Sequence, residues 1–146
     1  STIAWLPSRR SVESQRGGHP IERLGQVVTA AELVAAQQAL QAVYVDPLIQ
    51  RYVLDLVTAT RSHPDLYLGA SPRGTLALLR TSQATAAIAG RDYVVPDDVK
   101  TMSTAVLAHR VIASPSARIR HVDSEAIIAD IVGSAPVPGA TVRARA

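Results

Sequence analysis

The sequence predicts an all-α domain, a small helical bundle of about four main helices with one very short strand pair. Three observations predict it. Apolar residues make up 47% of the 146-residue chain, yet Phe is absent and aromatics are only 3%, so the core must be built from Leu, Val, Ile and much Ala. Ala, Leu, Gln and Arg are strong helix formers, and small side chains let helices approach closely. Apolar residues also recur at helical spacing in several windows, most of them opened by a cap residue or a proline. A chain of this length is about one domain and can bury a real core.

In chain order, Ile3, Ala4, Trp5 and Leu6 suit a short helix that Pro7 interrupts or starts. Arg16-Gly17-Gly18-His19-Pro20 is a loop by its breakers. Thr29-Ala30-Ala31-Glu32 is a capping box, in which Thr29 caps the Glu32 amide and Glu32 reaches back. The helix it opens is expected to run to about residue 43, with Leu33, Ala36, Leu40, Val43 and Tyr44 on one face. Val43-Tyr44-Val45 is β-rich and suits a very short strand. Asp46 and Pro47 then restart a helix, and Leu48, Ile49, Tyr52, Val53, Leu56 and Val57 make the cleanest amphipathic pattern in the chain. Gln50, Arg51, Asp55 and Thr58 take its opposite face, and it ends near Arg61, before Ser62-His63-Pro64.

The next helix is expected from Pro72 to about Ala89, with Leu76, Leu79, Ala86 and Ala87 buried and Gly90 as its stop. Tyr93-Val94-Val95 is a second β-rich run that can pair with Val43-Tyr44-Val45. Pro96-Asp97-Asp98 opens a helix whose inward residues are Val99, Met102, Ser103, Val106 and Leu107, with His109 and Arg110 near its end. Ser114 to Arg120 reads as a linker. Asp123-Ser124 caps a last helix with Ile127, Ile128, Ile131 and Val132 inward, and a loose tail follows from Gly133.

The best functional lead is the start of the Pro72 helix. Ser71 is a good N-cap, and Pro72 fits the first helical position, where its missing N–H costs nothing. Arg73 follows in the first turn, where the helix dipole disfavours a cation. Free amides and a guanidinium together favour an anion bound at the helix start. A surface arginine with no role is the bland alternative. Arg80 and Arg110 could line the same site or an interface, but both also suit solvated faces, and Arg80 lies two turns from Arg73.

Other chemistry lacks its residues. Without cysteine there is no disulfide, thiolate nucleophile or cysteine-ligated zinc. No apolar run approaches the ~20 residues of a membrane span, and no signal-peptide pattern opens the chain. The only Lys-Thr pair, Lys100-Thr101, lies inside an expected helix without the glycines of a phosphate-binding loop. His63-Pro64-Asp65 and His121-Val122-Asp123 suit turns and caps rather than metal, which needs about four converging ligands. No Gly-x-Ser-x-Gly elbow appears. The net charge of +3 is dispersed, and fourteen of the fifteen basic residues are Arg. Nucleic-acid binding would want a clustered basic stripe.

Gly69-Ala70-Ser71-Pro72-Arg73, Leu76-Ala77-Leu78-Leu79-Arg80, Gly90-Arg91-Asp92-Tyr93-Val94, Pro96-Asp97-Asp98-Val99 and Val106-Leu107 with His109-Arg110 follow one another in an order and spacing that resembles the C-terminal lid of MoxR-family AAA+ ATPases. The resemblance covers roughly residues 16 to 138; Gly74 departs from the alanine expected there, which should loosen the first turn slightly. It implies a connecting segment from an ATPase core over residues 1–18, a helical lid over 19–134 and a flexible tail over 135–146. A chain that begins at Ser1 rather than Met is expected to be a piece of a longer one. The resemblance further implies a cytoplasmic parent that uses ATP and Mg, forms a ring, hexameric by expectation, and matures other protein complexes in a chaperone-like way. Its partners would be its own core, neighbouring subunits and proteins with a von Willebrand factor A domain, with no membrane or nucleic acid. Arg73 would match the sensor 2 arginine, with Ser71 and Pro72 beside it at the ATP phosphates. The fragment alone should have no activity and hold no nucleotide tightly. The rival is a stand-alone basic helical interaction or DNA-binding domain.

Overall fold

The computed structural model describes residues 24–139. The helix expected around Trp5, the Arg16–Pro20 loop and the end of the tail lie outside these residues. Among the described residues the chain divides after Ala35 into two units.

In the first unit, the Thr29–Glu32 capping box forms as expected. The Glu32 amide donates to Thr29 Oγ1 at 3.2 Å, and the Thr29 amide donates to Glu32 Oε2 at 2.7 Å. These bonds hold the Glu32 carboxyl below its usual range, the backbone bond first. Helix α1, Ala30–Leu40, starts here. It is shorter than expected and has no buried residue: Leu33 and Val34 are exposed. Of the expected face, Leu33, Ala36 and Tyr44 are exposed and Leu40 is half-buried, while Val43, just past the helix end, joins the core; the capping box and the Ala/Gln content favour the helix locally.

The second unit holds the bundle. Helix α2, Pro47–Ser62, is capped by Asp46, whose carboxylate accepts from the Leu48 amide at 2.8 Å. Ile49, Tyr52, Val53, Leu56, Val57 and Thr60 are buried, whereas Leu48, expected inward, is exposed one position off that stripe. Helix α3, Pro72–Ile88, buries Gly74, Leu78, Ser82 and Ala86. This corrects the expected face: Leu76 is exposed, and Leu79 and Ala87 are only half-buried. The buried row has strict four-residue spacing and three small members, which suits close ridge-into-groove packing against a neighbouring helix. The Ser82 hydroxyl is satisfied by the Leu78 carbonyl at 2.8 Å. Gly90, at φ +74, ends the helix, with its amide on the Ala87 carbonyl and that of Arg91 on Ala86.

Helix α4, Pro96–Leu107, buries Val99, Ser103, Val106 and Leu107 against α3, and a 3₁₀ turn over Ala108–Arg110 follows it. Helix α5, Pro115–Ile119, replaces the expected linker, capped by Ser114, whose Oγ accepts from the Ala117 amide at 3.2 Å. Helix α6, Ser124–Ser134, is capped by Asp123 and buries Ile127, Ile128 and Ile131; it runs one residue past Gly133, where a tail was expected.

The strand pair is real but displaced. Tyr44 and Tyr93 form a single parallel bridge, closed by Tyr44 N–H to Asp92 O at 2.7 Å and Val94 N–H to Tyr44 O at 3.0 Å. The two-stranded sheet instead pairs β1, Leu66–Leu68, antiparallel with β2, Ile112–Ala113. No helix is long and apolar enough to cross a membrane among the described residues.

Candidate functional site

The site is built where the end of α2 meets the start of α3. Gly69 passes so close to α2 that a Cβ there would lie 2.7 Å from Arg61 Cα, Arg61 N and Thr60 C. All three are backbone atoms that cannot swing aside. The next residue, Ala70, is fully buried outside any helix or strand. Its amide donates to Thr60 Oγ1 at 2.9 Å, and its carbonyl accepts from Arg61 Nε at 3.0 Å.

Ser71 occupies the N-cap of α3 in extended conformation and Pro72 the first helical position, as expected. The expected hydroxyl cap is not formed. The Gly74 amide, which a serine cap would take, donates instead to the Ser71 carbonyl at 2.8 Å. Arg73 follows, exposed in the first turn. Gly74 is buried: a Cβ there would lie 3.3 Å from Ala70 Cβ and 3.4 Å from Leu107 Cδ2, so the missing methyl matters to packing as well as to propensity.

An open recess adjoins this helix start, lined by Arg61, Ser71, Pro72, Arg110 and the 67–70 segment. No acidic residue lines it, and among the described residues no carboxylate pairs with Arg61, Arg73 or Arg110, nor with Arg80 and Arg118 elsewhere, whereas Arg51, Arg91 and Arg120 are paired. Arg110, for which the sequence left both a site and a solvated-face reading open, thus shares the recess with Ser71 and Pro72. Arg80 does not: it lines a separate hollow with Gln37, Leu40, Gln41 and Gln83. Sequence reasoning missed Arg61 altogether, taking it as a helix end. The available signal was Gly69, since a glycine two residues before a cap marks a close backbone approach to something.

The other charged groups hold the fold. Arg91 donates to both Asp98 oxygens, at 2.8 and 2.6 Å, and Asp98 also accepts from the Val95 amide at 2.9 Å. The Arg91 bonds hold the buried Asp98 carboxyl below its usual range against the cost of desolvation. His63 Nδ1 accepts from the Asp65 amide at 3.1 Å, Asp65 pairs with Arg120, and Asp123 caps α6. Both His-x-Asp pairs therefore include a turn or cap role. No group of three metal-ligating side chains occurs among the described residues. A larger hollow lies between α4 and the start of α6, near His109, Asp123 and Glu125, but it is open and lacks a cluster of unpaired cations.

The bundle thus presents a helix start without a side-chain cap, beside arginines that pair with no carboxylate, and its likeness to known proteins says what kind of domain carries it. The family model of the AAA lid domain matches residues 58–131. The uncharacterised protein YeaC of Bacillus subtilis is 38% identical over 124 residues, which cover 85% of this chain and 39% of that protein. Protein MoxR of Paracoccus denitrificans is 33% identical over 66% of this chain and 33% of its own length. Chaperone MoxR1 of Mycobacterium tuberculosis is 28% identical over 77% of this chain and 32% of its own length. A crystal structure of a candidate ATPase from Cytophaga hutchinsonii shares the fold with a TM-score of 0.76 at 23% identity, covering 92% of this chain and 44% of that one. The chain belongs to the AAA lid domains, in the MoxR family of AAA+ ATPases. It spans between 32% and 39% of the length of these curated relatives.

Proposed function

We propose that this lid completes the ATP site of a MoxR-type AAA+ ATPase through Arg73, acting as the sensor 2 arginine. The observation that carries the reading is the exposed, unpaired Arg73 in the first turn of an uncapped helix, beside a recess with two more unpaired arginines and no acid. A guanidinium there can pair with a terminal phosphate oxygen and stabilise the charge that develops in phosphoryl transfer. ATP with Mg is bound by the whole protein in this reading, with the rest of the site in the core. When the phosphate leaves, the contact is lost. Helix α3 is 17 residues long, about 25 Å, and is packed along α4. It can therefore carry a small change at Arg73 through the bundle as a turn of the lid against the core. The ring, the von Willebrand factor A partners, the cytoplasmic setting and the chaperone-like maturation of client complexes belong to the same reading; the relative named Chaperone MoxR1 supports the chaperone-like part of it.

Steady-state ATP hydrolysis by the full-length parent, wild type against Arg73→Ala, tests this. The expected result is a fall in kcat of about ten- to a hundredfold, the loss of one charge-assisted contact, with the lid's melting unchanged. Wild-type kcat and nucleotide affinity would overturn it.

A further inference from the structure

We propose that Arg61 and Thr60 are positioning residues for Arg73: the last turn of α2 grips the backbone of Ala70 and so sets where α3 begins. This rests on the reading of Arg73 given above. Ala70 is 1% exposed, and a buried backbone outside regular structure must find partners for both its polar groups. Both partners come from adjacent residues of one helix turn. Thr60 is 0% exposed; its Oγ1 donates to the Val57 carbonyl at 2.6 Å and accepts the Ala70 amide at 2.9 Å, so the hydroxyl is fixed in direction. Arg61 turns Nε onto the Ala70 carbonyl at 3.0 Å instead of onto a carboxylate. Gly69 permits the approach that makes both bonds short enough.

Ala70 stands three residues before Arg73, and no bond from the Ser71 side chain caps the helix between them. The register of the first turn is therefore held from behind, by α2. Because α2 also packs on α6 and on β1, the grip ties the arginine to the body of the bundle rather than to α3 alone.

The test is steady-state ATP hydrolysis by the full-length ATPase carrying Arg61→Ala, Arg73→Ala, both together, Thr60→Val and Thr60→Ser, with thermal melting of each. Arg61→Ala is expected to lower kcat by about ten- to a hundredfold while KM for ATP moves much less, as misplacement of a contact made in the transition state does. The double variant should be no slower than Arg73→Ala alone, because the two changes remove one interaction. Thr60→Val should reproduce the loss, and Thr60→Ser, which restores the hydroxyl, should recover it. If Arg61→Ala melts early, the Thr60 pair still decides, since it alters no charge. A wild-type rate for Arg61→Ala and Thr60→Val beside a slow Arg73→Ala would overturn the positioning role and leave the sensor reading standing. Losses that multiply in the double variant would also overturn it, giving Arg61 a contact of its own. A wild-type rate for Arg73→Ala would remove the premise itself.

Discussion

Replacing Gly69 by alanine puts a methyl group where there is no room for one. Its Cβ would sit 2.7 Å from three backbone atoms of Thr60 and Arg61, roughly 1 Å inside ordinary contact. Gly69 does not have positive φ, so the cost is steric rather than conformational. The strand of chain must move off α2, and the bonds it carries lengthen with it: Ala70 to Thr60 Oγ1 at 2.9 Å and to Arg61 Nε at 3.0 Å. Overpacking costs about 1–3 kcal/mol. Each weakened hydrogen bond adds about 0.5–1.5 kcal/mol. The expected destabilisation is therefore about 2–6 kcal/mol, a fall in Tm on the order of 10 °C or more for a domain of this size. Urea denaturation followed by far-ultraviolet circular dichroism measures it. A midpoint within experimental error of wild type would show that Gly69 does not hold the close approach described, and the placement of Arg73 by α2 would fail with it.

The cap assignments separate cleanly: Asp123→Ala removes a hydrogen bond to the Ala126 amide and should cost about 1 kcal/mol, whereas Ser71→Ala, with no such bond, should change stability by less than about 0.5 kcal/mol; equal losses in denaturation would contradict this. Asp98→Asn removes the charge from a carboxylate 4% exposed that holds the partly exposed Arg91, and should destabilise by about 1.5–3 kcal/mol. Because the folded-state pKa of Asp98 is depressed, its contribution is present above the ordinary carboxylate pKa and is lost as pH falls through the folded value, so the variant's unfolding should depend less on pH in the acid range than wild type's. Tyr52 is 2% exposed, and its hydroxyl has no hydrogen-bond partner among the described residues, with burial pushing its pKa up; Tyr52→Phe should therefore be neutral or stabilising by up to about 1–3 kcal/mol, and a clear loss would reveal a partner.

What the sequence made legible follows physical contrast. Helix α2 was readable because its apolar and polar residues separate onto two faces, and Asp46, Thr29 and Asp123 were readable as caps because short polar side chains before helical runs have few other uses. The buried face of α3 was not. Its leucines and alanines occupy several faces, so periodicity could not choose between Leu76 and Leu78; the choice fell to the row where Gly74, Ser82 and Ala86 are small enough for α4 to come close. The two-stranded sheet escaped because strands of three and two residues carry little propensity of their own, and Leu66 meets Ala113 only after the helices between them have folded back. Of the candidate site, Arg73 was visible from the dipole it opposes. Arg61 and the Ser71 carbonyl bond were not, since both depend on how the 69–70 segment lies against α2.

Everything proposed for this lid depends on Arg73 reaching the phosphates of ATP. A structure of the full-length protein with Mg and a slowly hydrolysed ATP analogue would show whether it does. The Arg73 guanidinium should then lie within about 3 Å of a terminal phosphate oxygen, the reach of a charge-assisted hydrogen bond. An occupied nucleotide site with Arg73 turned to solvent in every subunit would contradict the sensor role.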